Sequence, residues 1–329
     1  MFEFSPVRRL ALVRGALALV LAFLAGISAA STFPSKGLRI VVPFGPGGVG
    51  DLTARLVAGK LSEALGQPVV VENKPGAGGV VATETVVRSD PDGHSMFLMS
   101  NGSAITAALF KKLPFDMGKD LTPVSTLGYF DLAVLTNADS PYKTLGDVVS
   151  FAKANPDKLN IGSIAIGSTQ NLTAELFKSA AGIKAQVVPF TNTPALIGAM
   201  RGNQIDLCVE ILGPALPHIK SGAFRPLAVT GDKRSVVLRD VPTAIEQGLP
   251  NLLSSSWNAL AVPSKTPPEV VARLNKELVT ILAMPEVKQK LLDLNIDARS
   301  STPGFAADLL ASDTKRWAGV IERAGIPTK

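Results

Sequence analysis

The chain has 329 residues, with 33 lysines and arginines against 27 aspartates and glutamates, a formal net charge of +6. The basic residues are scattered, without the basic stripe and interleaved aromatics of nucleic-acid-binding proteins, so we expect no nucleic-acid partner. Cys208 is the only cysteine, which excludes an intrachain disulfide. One cysteine and two histidines also argue against a zinc site, and we expect neither metal nor cofactor.

The N-terminus has the three parts of a secretory signal peptide. A basic region containing Arg8, Arg9 and Arg14 precedes an apolar run over residues 16–27, and small residues follow at 28–30. The apolar run is too short for a bilayer crossing, which needs about 20 residues. We therefore predict a cleaved signal peptide at residues 1–30 and a periplasmic product; whether export follows the general or the twin-arginine route stays open.

After residue 30, apolar strands alternate with amphipathic helices, which is typical of α/β folds. The first stretch has predicted strands at 38–44, 69–72 and 96–99, with helices starting near residue 52 and covering 80–88. The pattern restarts with strands at 132–136, 160–163, 186–190, 205–209 and 226–230, and helices at 145–154, 170–181 and 194–201. A strand at 256–262 and helices at 267–283, 286–294 and 303–324 complete the chain.

Two of these strands, at about 131–136 and 256–262, are candidate crossings between two lobes. They divide the chain into a discontinuous lobe 1, residues 31–131 and 257–329, and an inserted lobe 2, residues 132–256. Two lobes joined by two strands enclose a cleft with a hinge, which is suited to closing on a ligand. The predicted architecture is α/β, with each lobe a largely parallel sheet flanked by helices.

The most informative local feature is a glycine-rich turn at residues 45–50 between a strand and a helix. Such a turn directs unpaired backbone N–H groups and the positive end of a helix at one point, which binds anions without a basic side chain. Gly47, Gly48 and Val49 are the expected donors, and Phe44 belongs to the same loop. Asp51 would order the loop or contact a ligand amine, or it is simply an acid favoured in a first helical turn.

The same turn matches the dinucleotide-binding pattern G-x-G-x-x-G, with Glu72 following at about the distance of the ribose-binding acid. This match makes a dinucleotide-dependent oxidoreductase the rival hypothesis. Pro43 and Phe44 lengthen the turn, however, and nicotinamide cofactors are scarce outside the cytoplasm. A P-loop is excluded, because no Gly-Lys-Ser/Thr follows the glycines.

A second glycine-containing loop, residues 162–171, also follows a strand and opens a helix. Ser168 or Thr169 can cap that helix, or these hydroxyls, with Ser163 and the amide of Gly167, can bind a carboxylate. Two such loops on opposite lobes would hold one anion between them.

Two further polar residues are candidates with an ordinary structural alternative. Asn101 is a ligand contact or a turn residue, and Asp206 is a contact at the rim or a strand-end acid. The chain has no serine in a nucleophile elbow and no His-Glu-x-x-His motif. Together with the two-lobed layout, this favours binding over catalysis.

Taken together, these motifs resemble the Bug family, the TctC-like solute-binding proteins of tripartite tricarboxylate transporters. The resemblance covers nearly the whole chain after residue 30 and lies in residues 40–48, 51, 54–55, 65–79, 91–93, 215–222, 227–230, 233–235, 240–243 and 267–275. It implies a type II periplasmic Venus-flytrap, a carboxylate held by backbone groups and water between residues 44–51 and 163–169, and membrane permease subunits as partners.

The chain also departs from the family pattern. Gln170 and Asn171 stand where a histidine is common, and Asn192 and Thr193 add polar groups near the ligand tail where a glycine-bearing turn is usual. The ligand stays open among di- and tricarboxylates, amino acids and aromatic acids. A ligand-sensing receptor for a signalling partner is the alternative to transport.

Overall fold

The computed structural model describes residues 33–329, so the predicted signal peptide lies outside the described residues. The chain divides between Lys36 and Gly37, and the α/β fold occupies Gly37–Lys329. In the described chain no helix combines the length and the hydrophobicity that a bilayer crossing requires.

Ten strands form the sheet of residues 37–329. They are β1 (Leu38–Val42), β2 (Val69–Asn73), β3 (Ser95–Ser100), β4 (Leu121–Asn137), β5 (Asn160–Ile164), β6 (Gln186–Phe190), β7 (Leu207–Ile211), β8 (Phe224–Val229), β9 (Ser255–Pro263) and β10 (Ile296–Ala298). The spatial order is β2-β1-β3-β9-β4-β7-β5-β6, with β8 and β10 also paired to β4.

Helices cover this sheet, and most of them follow a strand directly. They are α1 (Val49–Leu65), α2 (Val80–Val87), α3 (Asn101–Leu109), α4 (Met117–Asp120), α5 (Leu145–Ala154), α6 (Thr169–Ala181), α7 (Thr193–Arg201), α8 (Leu212–Lys220), α9 (Pro268–Ala283), α10 (Pro285–Asp293) and α11 (Pro303–Arg323). A 3₁₀ turn over Ala77–Gly79 precedes α2.

The long strand β4 joins the two halves of the sheet. Its residues 121–131 pair antiparallel with β9, and its residues 132–137 pair antiparallel with β7 and β8. We call β1–β3, β9, β10 and the start of β4 the first half, and β5–β8 with the end of β4 the second half. The expectation of largely parallel lobes holds for β2-β1-β3 and for β6-β5-β7. The centre is antiparallel, because the chain leaves the first half along β4 and returns along β9.

Local sequence signals explain where the first two elements end. Strand β1 stops at Val42, two residues earlier than expected, and Pro43, which has no N–H to donate, follows it. Helix α1 ends at Gly66, whose φ of 67° is left-handed and whose N–H bonds the carbonyl of Ser62.

Each half of the sheet has its own hydrophobic core. The first core contains Phe97, Trp257 and Trp317, all nearly inaccessible to solvent. The second contains Met200 and Phe224. Phe44, which lies in the first glycine-rich loop, packs against the second core, so this loop joins the two halves.

The structure contains five helices or strands that the sequence patterns did not predict: the first part of β4, the short strand β10, and helices α3, α4 and α8. Helix α3 consists largely of small residues and is only weakly amphipathic, so its sequence shows little helical periodicity of apolar residues. Helix α8 carries Pro217 in its interior, which a sequence-based expectation treats as a helix breaker. Both helices begin directly after a strand, where tertiary packing sets the chain direction.

Candidate ligand-binding site

Five helices begin around one cavity. Helices α1, α3, α6, α7 and α8 follow strands β1, β3, β5, β6 and β7, so the carboxyl ends of these strands meet here. Helix N-termini carry partial positive charge, and their convergence favours a bound anion.

Both halves of the sheet line this cavity. The first half contributes Pro43, Phe44, Gly45, Gly48, Val49, Gly50, Pro75, Ser100, Phe130, Ser256 and Asn258, and the second contributes Ile164, Ala165, Thr169, Gln170, Thr191, Asn192, Thr193 and Ile211. Within the described part of the chain, no charged side chain lines this cavity. Any attraction for an anion therefore comes from backbone dipoles and neutral polar groups.

Three of the five helices satisfy their own N-termini with a side chain. Ser100 accepts from the N–H of Gly102, Ser168 from that of Asn171, and Asn192 from that of Ala195, at 2.9–3.1 Å. In contrast, no side chain caps α1, which begins at Val49 after the extended residue Gly48, or α8, which begins at Leu212. The first two residues of α1, Val49 and Gly50, also line the cavity, so their N–H groups are available to a ligand.

The carboxylate of Asp51 holds the first glycine-rich loop in its conformation. Its carboxylate accepts from the N–H of Gly47 at 3.0 Å and from Asn73 at 2.9 Å, and it pairs with Arg55 at 3.0 Å. Burial by itself raises the pKa of Asp51, but the hydrogen bonds from Arg55, Gly47 and Asn73 and the charge of Arg55 hold it below its ordinary value. Because the N–H of Gly47 points to Asp51, the expectation that Gly47 donates to the ligand is corrected.

The two sides of the cavity approach closely enough to require glycine. A Cβ on Gly45 would lie 2.7 Å from Cβ of Asn192, and one on Gly48 would lie 3.2 Å from Oγ1 of Thr193. The hydroxyls of Thr169 and Ser256 hydrogen-bond across the same gap at 3.1 Å. The first loop and the second half of the sheet are thus in direct contact.

The second predicted loop lies beside this cavity. Gly167 and Ser168 line an adjoining cavity of about 340 Å³, which also contains Phe44 and Ser100. The hydroxyl of Ser163 is buried, accepts from Asn171 at 3.1 Å and donates to the carbonyl of Ile164. Ser163 thus supports the loop, whereas Thr169 reaches the main cavity.

Asn101 does not present a free amide to a ligand. Its nitrogen donates to Thr169 and to the carbonyl of Ser255 at 3.2–3.3 Å, and its oxygen accepts from the indole of Trp317 at 2.8 Å. The side chain is fully buried. Its role in this structure is to connect the first half to the start of α6.

Asp206 lies away from the cavity. Its carboxylate accepts from the backbone N–H of Asn160 at 2.8 Å, at the beginning of β5. The cavity is at the other end of β5. The two ends of this strand are about 13 Å apart, because four residues of extended chain separate them. The structural alternative, a strand-end acid, therefore describes Asp206, and we do not carry it forward as a contact.

The buried carboxylate at this site belongs to Glu210, which the sequence analysis did not single out. Its Oε1 accepts from the amide of Gln170 at 2.8 Å and from the N–H of Ile211 at 2.7 Å, and its Oε2 accepts from the hydroxyl of Thr193 at 2.8 Å. Burial raises the pKa of Glu210, and these hydrogen bonds offset part of the rise. All three donors belong to residues that line the cavity.

Asn258 is the second residue that sequence patterns missed. It lies on β9, is 2 % exposed, lines the cavity, and its Nδ2 has no hydrogen-bond partner in the described chain. A buried donor without an acceptor is costly, so such a group is expected to meet a ligand or water. In the sequence, Asn258 stands out only as a polar residue within an apolar strand.

Two further observations concern Glu72, the acid of the dinucleotide pattern, and the grouping of metal-binding residue types. Glu72 pairs with Arg39 at 3.4 Å and with Lys74 at 3.2 Å. In the described chain, His, Cys, Asp and Glu form no group of three or more that could hold a metal ion.

An α/β fold in which two halves of a mixed sheet line a shared cavity is typical of periplasmic solute-binding proteins. The chain belongs to the TctC family: the model of the tripartite tricarboxylate transporter family receptor matches residues 53–326. This confirms the resemblance seen in the sequence motifs. The family is a receptor family of periplasmic binding proteins.

Three solved structures are similar to this chain in fold. Rpa4515 of R. palustris, solved with adipate, has a TM-score of 0.86 at 29 % identity over 90 % of this chain and 99 % of its own. MatC of Rhodopseudomonas palustris, with bound malate, has a TM-score of 0.84 at 31 % identity over 88 % and 100 %. The periplasmic binding protein BugD has a TM-score of 0.86 at 28 % identity over 90 % and 100 %.

Proposed function

We propose that this protein is a periplasmic, non-enzymatic receptor that captures a small organic carboxylate and delivers it to the membrane subunits of a tripartite tricarboxylate-type transporter. The observation that carries the proposal is the uncapped start of α1 facing a cavity with an unpartnered buried amide, Asn258. Family membership and the adipate and malate bound by two relatives support it.

In this proposal the ligand carboxylate accepts from the first N–H groups of α1, at Val49 and Gly50, and from Asn258. Backbone donors fixed by the fold need no reorganisation when the anion arrives, and bridging water can complete its shell at little enthalpic cost. Asp51 and Asn73 hold the loop in shape without touching the ligand. Residues of the second half, including Thr169, Asn192 and Thr193, contact the rest of the ligand.

Ligand binding then favours the state in which the two halves touch. A ligand shifts such an equilibrium only by its differential affinity for the two states, and about 5.5 kcal/mol moves it from 1:99 to 99:1. One ligand molecule can contact the donors of α1 and Asn258 and the residues of the second half at the same time only when the two halves approach each other. The closed surface is what a permease would recognise.

Thermal-shift screening of the purified protein against small carboxylic acids tests the ligand class, since a bound ligand raises the melting temperature by mass action. The control for each acid is its primary amide, which keeps the shape and removes the charge. We expect shifts with acids and none with the amides. Equal shifts with both, or none with any acid, contradict the proposal.

Uptake of the labelled acid in cells, with and without the transporter's membrane subunits, tests the delivery step. Loss of uptake in both the receptor deletion and the membrane-subunit deletion supports transport. Normal uptake without the receptor, with loss of a transcriptional response to the acid, indicates the signalling role instead. N-terminal sequencing of the exported protein tests the signal peptide, with Ser31 as the expected first residue.

A further inference from the structure

The hydrogen bonds of Glu210 fix which polar atoms of the second half face the ligand. Both carboxylate oxygens accept, Oε1 from Gln170 and Ile211 and Oε2 from Thr193, each at 2.7–2.8 Å. Glu210 itself is 1 % exposed. The carboxylate therefore lies directly behind two residues of the cavity wall, Gln170 and Thr193.

The hydroxyl of Thr193 has a single hydrogen, and that hydrogen points to Glu210. The remaining valence of this oxygen is acceptor only. The oxygen lies beside the first loop, 3.2 Å from the position of a Cβ on Gly48. At this point the second half can accept a hydrogen bond from a ligand but cannot donate one.

The two sides of the cavity differ at these positions, although the start of α8 in the second half is also without a side-chain cap. The first half presents donors, namely the uncapped start of α1 and the unpartnered amide of Asn258. The second half presents the oxygen of Thr193 with the buried carboxyl group of Glu210 directly behind it. No lysine or arginine lines this cavity within the described chain to neutralise a second anionic group.

We infer that Glu210, in its carboxylate form, makes the second-half wall select a carboxylate that also carries a hydroxyl or an ammonium group, over one that carries a second carboxylate. The inference rests on the proposed function and specifies its ligand. An ammonium or hydroxyl group can donate to Thr193 and is attracted by Glu210. A second carboxylate has no hydrogen to donate and is repelled, because buried like charges are poorly screened.

Glu210→Gln is the sharpest variant, because glutamine has the shape of a neutral glutamate. Its oxygen can still accept from Gln170 and Ile211, while its amide nitrogen donates to Thr193. The hydroxyl hydrogen of Thr193 is then released toward the ligand, so the wall becomes a donor. Glu175→Gln is the matched control: Glu175 lies on α6, like Gln170, but pairs only with Lys178 at 2.8 Å.

Calorimetric titration uses two sets of ligands that differ only in the distal group: succinate, 4-hydroxybutyrate and 4-aminobutyrate, then adipate, 6-hydroxyhexanoate and 6-aminohexanoate. We expect the wild type and Glu175→Gln to prefer a hydroxy or amino acid over the dicarboxylate by at least about tenfold in one set. Glu210→Gln should remove or reverse this preference.

Thr193→Val and Thr193→Ser keep the test decisive if Glu210→Gln does not fold. Valine removes the hydroxyl and should reduce the preference, whereas serine keeps it. Any one of three results overturns the inference. The first is a wild-type preference for the dicarboxylate in both sets, and the second is no binding of the hydroxy and amino acids. The third is a preference that is unchanged in both Glu210→Gln and Thr193→Val. The proposed function is still supported after any of those results if dicarboxylates bind. If no acid shifts the melting temperature in the thermal-shift screen, both the proposed function and the inference are overturned.

Discussion

Asn73 donates a side-chain hydrogen bond to the carboxylate of Asp51 at 2.9 Å. This contact ties the end of β2 to the start of α1, and the same amide nitrogen also reaches the carbonyl of Phe44 at 3.0 Å. Two segments that are separate motifs in the sequence are therefore one unit in the fold. This unit holds the glycine-rich loop in the conformation in which the N-terminus of α1 faces the cavity.

The first prediction concerns the stability that Asp51 contributes. Asp51→Asn removes a buried negative charge that accepts from Gly47 and pairs with Arg55. Hydrogen bonds to charged groups contribute about 1.5–3 kcal/mol, so we expect a loss of that order in the free energy of unfolding. Urea denaturation measures it, with Asp308→Asn, at an exposed position of α11, as the control. An equal effect of both substitutions would contradict the assigned role.

The second prediction is the pH dependence of that contribution. The pKa of Asp51 is lowered in the folded protein, so its stabilisation is fully present above the unfolded pKa of about 3.9 and is lost as the pH falls through the lowered value. The difference in unfolding free energy between wild type and Asp51→Asn should be constant near neutral pH and shrink below about pH 4. Denaturation curves between about pH 7 and about pH 3 measure it. A gap that widens on acidification would give the opposite sign and refute the assignment.

The third prediction tests the contact between the two sides of the cavity. Gly45→Ala places a methyl group 2.7 Å from Cβ of Asn192, so the first loop cannot approach as closely. We expect the dissociation constant of the ligand to rise by about tenfold or more, since closure carries part of the binding energy. Gly59→Ala in α1, where a Cβ meets nothing within 4 Å, is the control and should leave affinity unchanged.

A double substitution makes the third prediction specific. In an Asn192→Gly background the clashing Cβ is gone, so adding Gly45→Ala should weaken binding much less than it does in the wild type. The interaction free energy from this cycle isolates the contact from the loss of the Asn192 helix cap. Full additivity of the two substitutions would show that the close approach does not limit binding.

The fourth prediction concerns Asn258. Asn258→Ala removes a buried donor, and we expect a loss in binding free energy of about 1–3 kcal/mol for the carboxylate. Asn258→Asp should cost more, because it replaces the donor with a like charge. Calorimetry measures both, and the exposed Asn251→Asp is the control. Unchanged affinity in Asn258→Ala would remove this amide from the site.

Local sequence signals predicted much of the framework. The left-handed Gly66 and the apolar run of β1 are determined by neighbouring residues, so the C-terminal end of α1 and the position of the first loop followed from them, whereas α1 starts at Val49 and not near residue 52. Helices α3 and α8 were missed, because α3 is only weakly amphipathic and α8 carries Pro217 in its interior, and packing against the sheet selects their conformation. The lobe boundaries at 131/132 and 256/257 stay predictions.

Asp206 and Glu210 show where sequence reasoning fails at the site. Both are acids around the same short strand, and nothing in the sequence distinguishes them. Only the strand direction places Glu210 at the cavity end and Asp206 at the opposite end, against Asn160. The same limit applies to Asn258, whose position on the cavity wall depends on the pairing of β9 with β3 and β4.

The amino-acid sequence by itself determined the α/β class, the family and the glycine-rich loop, because periodicity, turn residues and capping signals act over a few neighbouring positions. The tertiary structure alone decided which polar groups share the cavity. Glu210 lies on β7, Thr193 at the start of α7 and Asn258 on β9, and their hydrogen-bonding roles exist only after strand pairing brings these elements together. Burial then decides which of their donors are satisfied and which are left for a ligand.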